Sequence, residues 1–151
     1  MTDARFVADR LAIADTVTRY FTAIDHRKFD MFADVFTDDV DAVYEGVRVA
    51  GGLGRITDFC MGRSEHHFPL EIVDIERSMH FMGNHSVVVA GDTAQAETYA
   101  LAHLIDRPPE GRRMRTRGLR YVDELARQAD GRWLISKREH ILDWMRLDEV
   151  V

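Results

Sequence analysis

The sequence predicts an α+β domain in which a curved, mixed but mostly antiparallel β-sheet forms a cone around N-terminal helices. A helical pattern, with apolar residues three and four positions apart, opens the chain. From residue 78 onward apolar and polar residues alternate, and Gly-Asp or Asp-Gly turns separate the runs. Helices collected on one side of an antiparallel sheet are typical of this class. The 151 residues fit one core, so we expect a single domain over residues 1–151.

The first helix is predicted to begin after Asp3, a residue type that caps helix N-termini. Tyr20 and Asp25 lie near its end, about 140° apart around an ideal helix, so they can flank a shared pocket without stacking. The expected buried face consists of the apolar residues with helical spacing, namely Val7, Leu11, Ala14, Val17, Phe21 and Ile24.

The next segment carries shorter signals. We predict a short helix over residues 29–35, a turn at Thr37-Asp38-Asp39, and a strand over 40–45 that carries Tyr44 on its apolar side. Another short helix is predicted over residues 56–61. Loops are expected at Gly46, Gly51, Gly52 and Gly54.

The rest of the chain predicts four long antiparallel strands. Residues 78–105 form a hairpin, residues 113–127 the third strand, and a run from Trp133 the last, with Arg138 on the face opposite Trp133. The turns between them are predicted at residues 90–93, 108–111 and 130–131.

The period-two alternation of the first hairpin strand assigns His80 and His85 to opposite faces of the sheet. His80 shares a face with Met82 and Asn84, which makes these two residues candidates for substrate contacts, whereas His85 lies on the other face. A bulge near Gly83 would change this assignment.

Composition limits the partners. A net charge of −6 argues against a general binder of nucleic-acid phosphates. No apolar run is long enough for a membrane span, and the N-terminus carries no signal-peptide pattern. The single cysteine, Cys60, lies among apolar residues, so we expect an inert thiol and a reducing, cytoplasmic location.

One basic cluster lies along the first half of the third long strand. Because its arginines largely alternate with uncharged residues, a solvated sheet face is favoured, and a patch for an anion or a partner is the alternative. The cluster consists of Arg112, Arg113, Arg115, Arg117 and Arg120.

Asp25 and His80 are the main candidates for chemistry. A carboxylate on one ring nitrogen fixes the tautomer of an imidazole and makes the other nitrogen a better base. Taken alone, Asp25 is favoured as a helix-end cap and His80 as a buried histidine with its hydrogen bonds satisfied, and the catalytic pair is the alternative.

Further polar groups are candidates for the same space. Tyr20 and Tyr44 offer hydroxyl donors, and Arg138 is either a surface charge or a group that stabilises negative charge on a substrate oxygen. His103 and His85 are weaker candidates. A metal site made from Glu65, His66 and His67 of the loop over residues 65–69 with His80 or His85 is disfavoured, because adjacent histidines point apart and no HExxH-type spacing exists.

Three segments together resemble a known family. They read YFTAIDHRKFDMFADVFTDDV (20–40), SMHFMGNHSVVVAGDTAQAETYALAH (78–103) and RYVDELARQADGRWLISKR (120–138). In order and spacing they are similar to the SnoaL-like branch of the nuclear transport factor 2-like superfamily, and within it to the scytalone dehydratase-like group.

The resemblance implies roles for individual residues. Asp25 and His80 match the catalytic aspartate and histidine of that group. Tyr20 and Tyr44 resemble dehydratase tyrosines, the latter reaching the substrate carbonyl, and Arg138 resembles an arginine that assists the leaving group. His103 corresponds to a second histidine found in some members.

The resemblance also implies an activity. We expect a cofactor-independent, dehydratase-like lyase without a metal, acting on a cyclic or polyketide-like small molecule by proton abstraction next to a carbonyl. An isomerase, a polyketide cyclase, or a binding module without turnover are the alternatives, since fold alone does not fix function. Family members assemble through the open sheet face, so a dimer or trimer is expected.

Overall fold

The computed structural model describes residues 4–64 and 75–150. The predicted N-cap Asp3 and the loop over residues 65–69, with His66 and His67, lie outside the described residues. The elements, in chain order, are helix α1 (Ala4–Asp25), a 3₁₀ helix (Phe29–Asp34), strands β1 (Phe36–Tyr44) and β2 (Val47–Val49), helix α2 (Gly52–Cys60), and strands β3 (Ile75–Ala90), β4 (Thr93–Asp106), β5 (Arg113–Arg127) and β6 (Trp133–Glu149).

The six strands form one curved, unclosed sheet in the order β2-β1-β6-β5-β4-β3. All neighbours pair antiparallel except β1 and β6, which are parallel. The predicted mixed, mostly antiparallel α+β architecture is therefore confirmed. Helix α1 packs against β3 and β6 on one face of the sheet, which we call the inner face; the opposite face is the outer face.

The buried face of α1 differs from the prediction. Val7 and Leu11 are exposed, whereas Asp9 is buried. The carboxylate of Asp9 accepts two hydrogen bonds from Arg127 and one from Trp133 Nε1. In this turn of the helix, the residue that faces the sheet is therefore an acid and not an apolar residue. Further along, the inner side is apolar as expected, with Ile13, Val17, Tyr20, Phe21 and Ala23 buried.

The predicted turn at Thr37-Asp38-Asp39 is wrong, because these residues lie within β1. Phe36 pairs with Ile135 and Asp41 with Lys137, so β1 has three more residues than β6 between the two pairs. The surplus forms a bulge that exposes the acidic side chains, which explains turn-like chemistry inside a strand.

Helix α2 begins earlier than predicted, so Gly52 and Gly54 are helical and not in loops. The backbone of Gly52 approaches Asp38 so closely that a Cβ would meet the Asp38 carbonyl oxygen at 2.2 Å. Gly52 is therefore required for close packing at the start of α2. From composition alone, a glycine at this position indicates a loop. Strand β2 was not predicted.

The hairpin of β3 and β4 is confirmed, with Ala90 opposite Thr93 across the turn. The register shifts between Met82 and His85, which is the bulge that alternation could not place. As a result, His85 lies on the inner face with His80, and the predicted opposite placement is wrong.

A second register shift acts on Arg138. Glu124 pairs with Lys137 but Leu125 pairs with Ile135, so Ser136 is surplus in β6. This bulge turns both Ile135 and Arg138 inward, and both are buried. The predicted placement of Arg138 opposite Trp133 is therefore wrong.

Candidate active site

Asp25 and His80 meet where the last residue of α1 faces β3. Asp25 Oδ1 lies 2.7 Å from His80 Nδ1, and Asp25 Oδ2 accepts a hydrogen bond from the backbone N–H of His80 at 2.8 Å. Ser78, two residues earlier on β3, donates its hydroxyl hydrogen bond to Asp25 Oδ1 at 2.8 Å. Because Nδ1 faces a carboxylate, it carries the proton, and Nε2 keeps the lone pair that a base needs.

The surroundings keep Asp25 ionised. Burial opposes the charge, but hydrogen bonds from His80 and Ser78 outweigh it and hold the pKa of the Asp25 carboxyl below its usual value. The ring of Phe21 stacks on the His80 ring with 5.1 Å between centroids. The His80 side chain is 6% exposed, and Asp25 and Phe21 hold its ring at one nitrogen and on one face.

Tyr20 and Tyr44 form a second polar pair. Their hydroxyl oxygens lie 3.1 Å apart, and both side chains are buried. Burial raises the pKa of both phenols well above the ordinary value, so both stay protonated and can donate hydrogen bonds. Tyr121, on β5, packs its edge against Tyr20 with 5.7 Å between ring centroids.

Arg138 lies beneath these rings. Its Nε and Nη2 donate to the two carboxylate oxygens of Asp123 at 2.8 and 2.7 Å, and both side chains are 0% exposed. The guanidinium carbon is 4.1 Å from the centroid of the Tyr20 ring and 4.7 Å from that of Tyr121. Burial alone would lower the pKa of Arg138, but Asp123 overcomes this effect and raises it, so the positive charge is permanent.

Of two groups beside the tyrosines, His140 was missed by the sequence analysis, and Arg117 was named there only as a member of the basic cluster. His140 stacks on Tyr44 with 5.1 Å between centroids, and burial, together with the charges of Arg117 and Arg138, lowers its pKa to about 3. It is therefore neutral at pH 7. Arg117 pairs with Glu45, and burial lowers the pKa of Arg117 to about 10.

The basic cluster divides between the two faces of β5. Arg120 lies on the outer face and binds Asp143, as a solvated face requires. Arg115 and Arg117 are buried on the inner face, so the predicted solvated face is wrong for these two residues. Arg115 shares the carboxylate of Asp106 with Arg113.

The remaining candidates separate clearly. Met82 lies on the inner face and packs against the core next to His80. Asn84 is exposed in the β3 bulge, and His103 lies on the outer face, where its Nδ1 is 3.2 Å from the Thr116 hydroxyl. Neither joins the group around His80. His85 faces inward with Nδ1 2.8 Å from the Thr98 hydroxyl.

Two further expectations concern Cys60 and metals. Burial raises the pKa of Cys60 to about 12, which agrees with an inert thiol. Within residues 4–64 and 75–150, no three His, Cys, Asp or Glu side chains cluster as metal ligands. In the same part of the chain, no helix is long and apolar enough to cross a membrane.

Comparison with known families places most of the chain. A model of the SnoaL-like domain matches residues 5–139. A relative in Mycobacterium tuberculosis strain H37Rv, the uncharacterized protein Rv2910c, is 33% identical over 135 residues, which cover 87% of this chain and 84% of the relative.

Solved structures share the fold at lower identity. A hexachlorocyclohexane dehydrochlorinase, LinA-type3 from Novosphingobium barchaimii LL02, has a TM-score of 0.76 at 20% identity, covering 96% of this chain and 93% of that one. A candidate scytalone dehydratase from Novosphingobium aromaticivorans DSM 12444 also has a TM-score of 0.76 at 20% identity, covering 100% and 94%. At this identity the likeness concerns the fold.

Proposed function

Since the chain belongs to the SnoaL-like domain family of the nuclear transport factor 2-like superfamily, we propose that it is a cofactor-independent lyase of the dehydratase type. The family and its structural neighbours support a fold that acts on small molecules by lyase or isomerase chemistry. The finer proposal is that the substrate is a cyclic or polyketide-like ketone. The observation that carries the proposal of lyase chemistry is the 2.7 Å contact between Asp25 and His80.

The reaction begins at a carbon next to the substrate carbonyl. His80 Nε2 takes the proton, and the electron pair of the C–H bond moves into the carbonyl to form an enolate. Asp25 stays ionised and stabilises the imidazolium that results. When the enolate reforms the carbonyl, a C=C bond forms, the C–O bond of the leaving hydroxyl breaks, and the proton on His80 completes a water molecule.

The tyrosine pair supplies the donor for the enolate oxygen. In this proposal Tyr44 and Tyr20, whose hydroxyl oxygens lie 3.1 Å apart, hydrogen-bond the enolate oxygen together. A donor already in place costs no reorganisation when negative charge develops.

Arg138 has a different role from the one that the resemblance implied. Its guanidinium is fully buried and bound to Asp123 through two hydrogen bonds. In this proposal Arg138 is a positioning residue that acts through the ring of Tyr20, on which it stacks.

The reaction is tested by deuterium exchange, which needs no knowledge of the leaving group. A panel of hydroxylated cyclic ketones is incubated with the protein in D₂O and followed by proton NMR. Loss of the signal next to the carbonyl reports proton abstraction, and a new vinyl signal reports elimination. Exchange without elimination would favour the isomerase or cyclase alternative, which begins from the same carbon acid.

His103→Ala is the matched control for His80→Ala, because it removes a histidine from the outer face of the same sheet. We expect His80→Ala to abolish exchange and His103→Ala to preserve it. A ligand that binds tightly but exchanges no proton in the unmodified protein would instead support a binding module without turnover.

Self-association is proposed through the outer face. This face carries a groove of about 280 Å³ between β3, β4, β5 and β6, and Phe81, Tyr99, Leu101 and Trp144 at its edge are each 40% exposed or more. Exposed apolar residues grouped in this way are typical of interaction surfaces. Sedimentation of the protein and of Phe81→Lys distinguishes an oligomer that uses this groove from a monomer.

A further inference from the structure

We propose that Arg115 and Arg117 form a subsite for a carboxylate group of the substrate, beside the Asp25–His80 pair. This inference deepens the proposed function and rests on it for the identity of the reacting site. It names the substrate class as an acid with an apolar ring or chain.

Strand register brings the two arginines to the side of the candidate base. His80 on β3 pairs with Ala102 on β4, which pairs with Arg117 on β5. Two strand spacings separate His80 from Arg117, roughly 10 Å between their Cα atoms. The residue between them in this row is Ala102, which has only a methyl side chain.

Arg115 occupies the next inward position of β5. Its row across the sheet passes through Leu104 and ends at Ser78, the residue that hydrogen-bonds Asp25. Arg117 and Arg115 therefore lie in the same two rows as His80 and Ser78, which hold the Asp25 carboxylate in place. A ligand anchored on the arginines extends toward His80.

Two guanidinium groups share one acid at this position. Arg113 and Arg115 both pair with the carboxylate of Asp106. Arg115 Nη1 is buried and has no hydrogen-bond partner among the described residues. A buried donor of this kind is satisfied when an anion binds.

The backbone at Glu45 is adapted to hold Arg117. Glu45 has φ 51° and Gly46 has φ 83°, the left-handed pair that a two-residue hairpin between Tyr44 and Val47 requires. This conformation is unfavourable for glutamate, and such strain is retained where a side chain must point in one direction. Here the carboxylate points at Arg117.

Apolar side chains flank the arginines on the same face. Met145 pairs with Arg117 and Leu147 with Arg115 across β5 and β6, so all four share the inner face. Met145 and Leu147 are each about half exposed. An acid with an apolar ring satisfies both kinds of neighbour at once.

The experiment compares benzoate with benzamide, its uncharged counterpart of the same shape, by isothermal titration calorimetry. We expect benzoate to bind the unmodified protein at least 10-fold more tightly than benzamide. Arg115→Gln should remove that preference, while Arg120→Gln, on the outer face of the same strand, should leave it unchanged. Circular dichroism confirms that each variant is folded.

Arg117→Gln is the second variant, because it leaves Glu45 without its main cation and can lower stability. If it unfolds the protein, Arg115→Gln alone decides the question. Equal binding of benzoate and benzamide, or a preference that survives Arg115→Gln, overturns the subsite. A preference lost equally in Arg120→Gln also overturns it, since that result describes a general charge effect.

Benzoate binding is measured without turnover, so the subsite and the reaction are tested independently of each other. His80→Ala should retain benzoate binding within about 3-fold and lose proton exchange. Loss of the subsite with exchange intact rejects only the carboxylate, whereas binding intact without exchange in the unmodified protein rejects only the lyase.

Discussion

Asp25 holds His80 at two points, the ring Nδ1 at 2.7 Å and the backbone N–H at 2.8 Å. One carboxylate therefore ties the imidazole to the strand that carries it. Rotation of the His80 ring away from Asp25 would break one bond while the other still holds the acid in place. The end of α1 and the start of β3 are locked to the same geometry.

Asp25→Asn should lower the rate of proton exchange about 10²–10⁴-fold, the usual contribution of general acid–base catalysis. The amide lacks the charge that stabilises imidazolium, and its N–H₂ favours the His80 tautomer with the proton on Nε2. The exchange rate in D₂O is the measurement. Ser78→Ala, which keeps the charge, should cost much less, and an equal loss in both variants would show that packing, not charge, matters.

The tyrosine pair should behave as a coupled unit in unfolding. Tyr20→Phe or Tyr44→Phe leaves the other hydroxyl buried with a lost partner, and each should cost about 1–3 kcal/mol of unfolding free energy. The double variant should cost less than the sum of the two, because the hydrogen bond between the two hydroxyls is then lost once and not twice. Urea unfolding of all four proteins measures the coupling, and strict additivity would contradict the shared hydrogen bond.

Asp123→Ala should destabilise the protein by about 3–5 kcal/mol, because it leaves the buried Arg138 charge without its acid. Replacing both residues, with Asp123→Leu and Arg138→Met, should cost less than the single change. The control is Asp143→Ala, which breaks the exposed two-bond pair with Arg120 and should cost only about 0–1 kcal/mol. Denaturant midpoints at pH 7 give all three values.

His140 should make stability fall as the pH drops below about 6.5. Its pKa is about 3 in the folded protein but near 6.5 when unfolded, so only the unfolded chain takes up the proton between these values. His140→Phe keeps a ring against Tyr44 and removes this proton uptake. The stability advantage of the unmodified protein over His140→Phe should therefore shrink by about 1–2 kcal/mol between pH 7 and pH 5.

Urea unfolding at several pH values measures this difference, with His103→Phe as the control for loss of an outer-face histidine. A constant difference between the unmodified protein and His140→Phe across this range would mean that His140 takes up its proton in the folded state too.

Fold class, the four long strands and the Asp25–His80 candidates were predictable because they depend on long periodic runs and on motif spacing. β5 shows this best, since its predicted bounds are those observed, Arg113–Arg127. The faces of β3 and β6 were not predictable, because one surplus residue reverses the side of every residue that follows. The bulge at Ser136 moved Arg138 from the outer to the inner face in this way.

The burial of Arg115 and Arg117 was not predicted for a different reason. Arg117 alternates with uncharged neighbours exactly as a surface residue does, and its acid, Glu45, is 72 residues away in sequence. Nothing local marks a long-range ion pair. The one available signal was parity, because Arg117 shares its side of β5 with Leu119 and Tyr121, which are core residues.

The parallel pairing of β1 with β6 sets an order of events during synthesis. Residues 36–44 leave the ribosome nearly one hundred residues before the partner strand, whereas α1 and the β3–β4 hairpin are complete much earlier. Asp25 and His80 are thus both synthesised well before β6, the strand that pairs with β1 beside Tyr44.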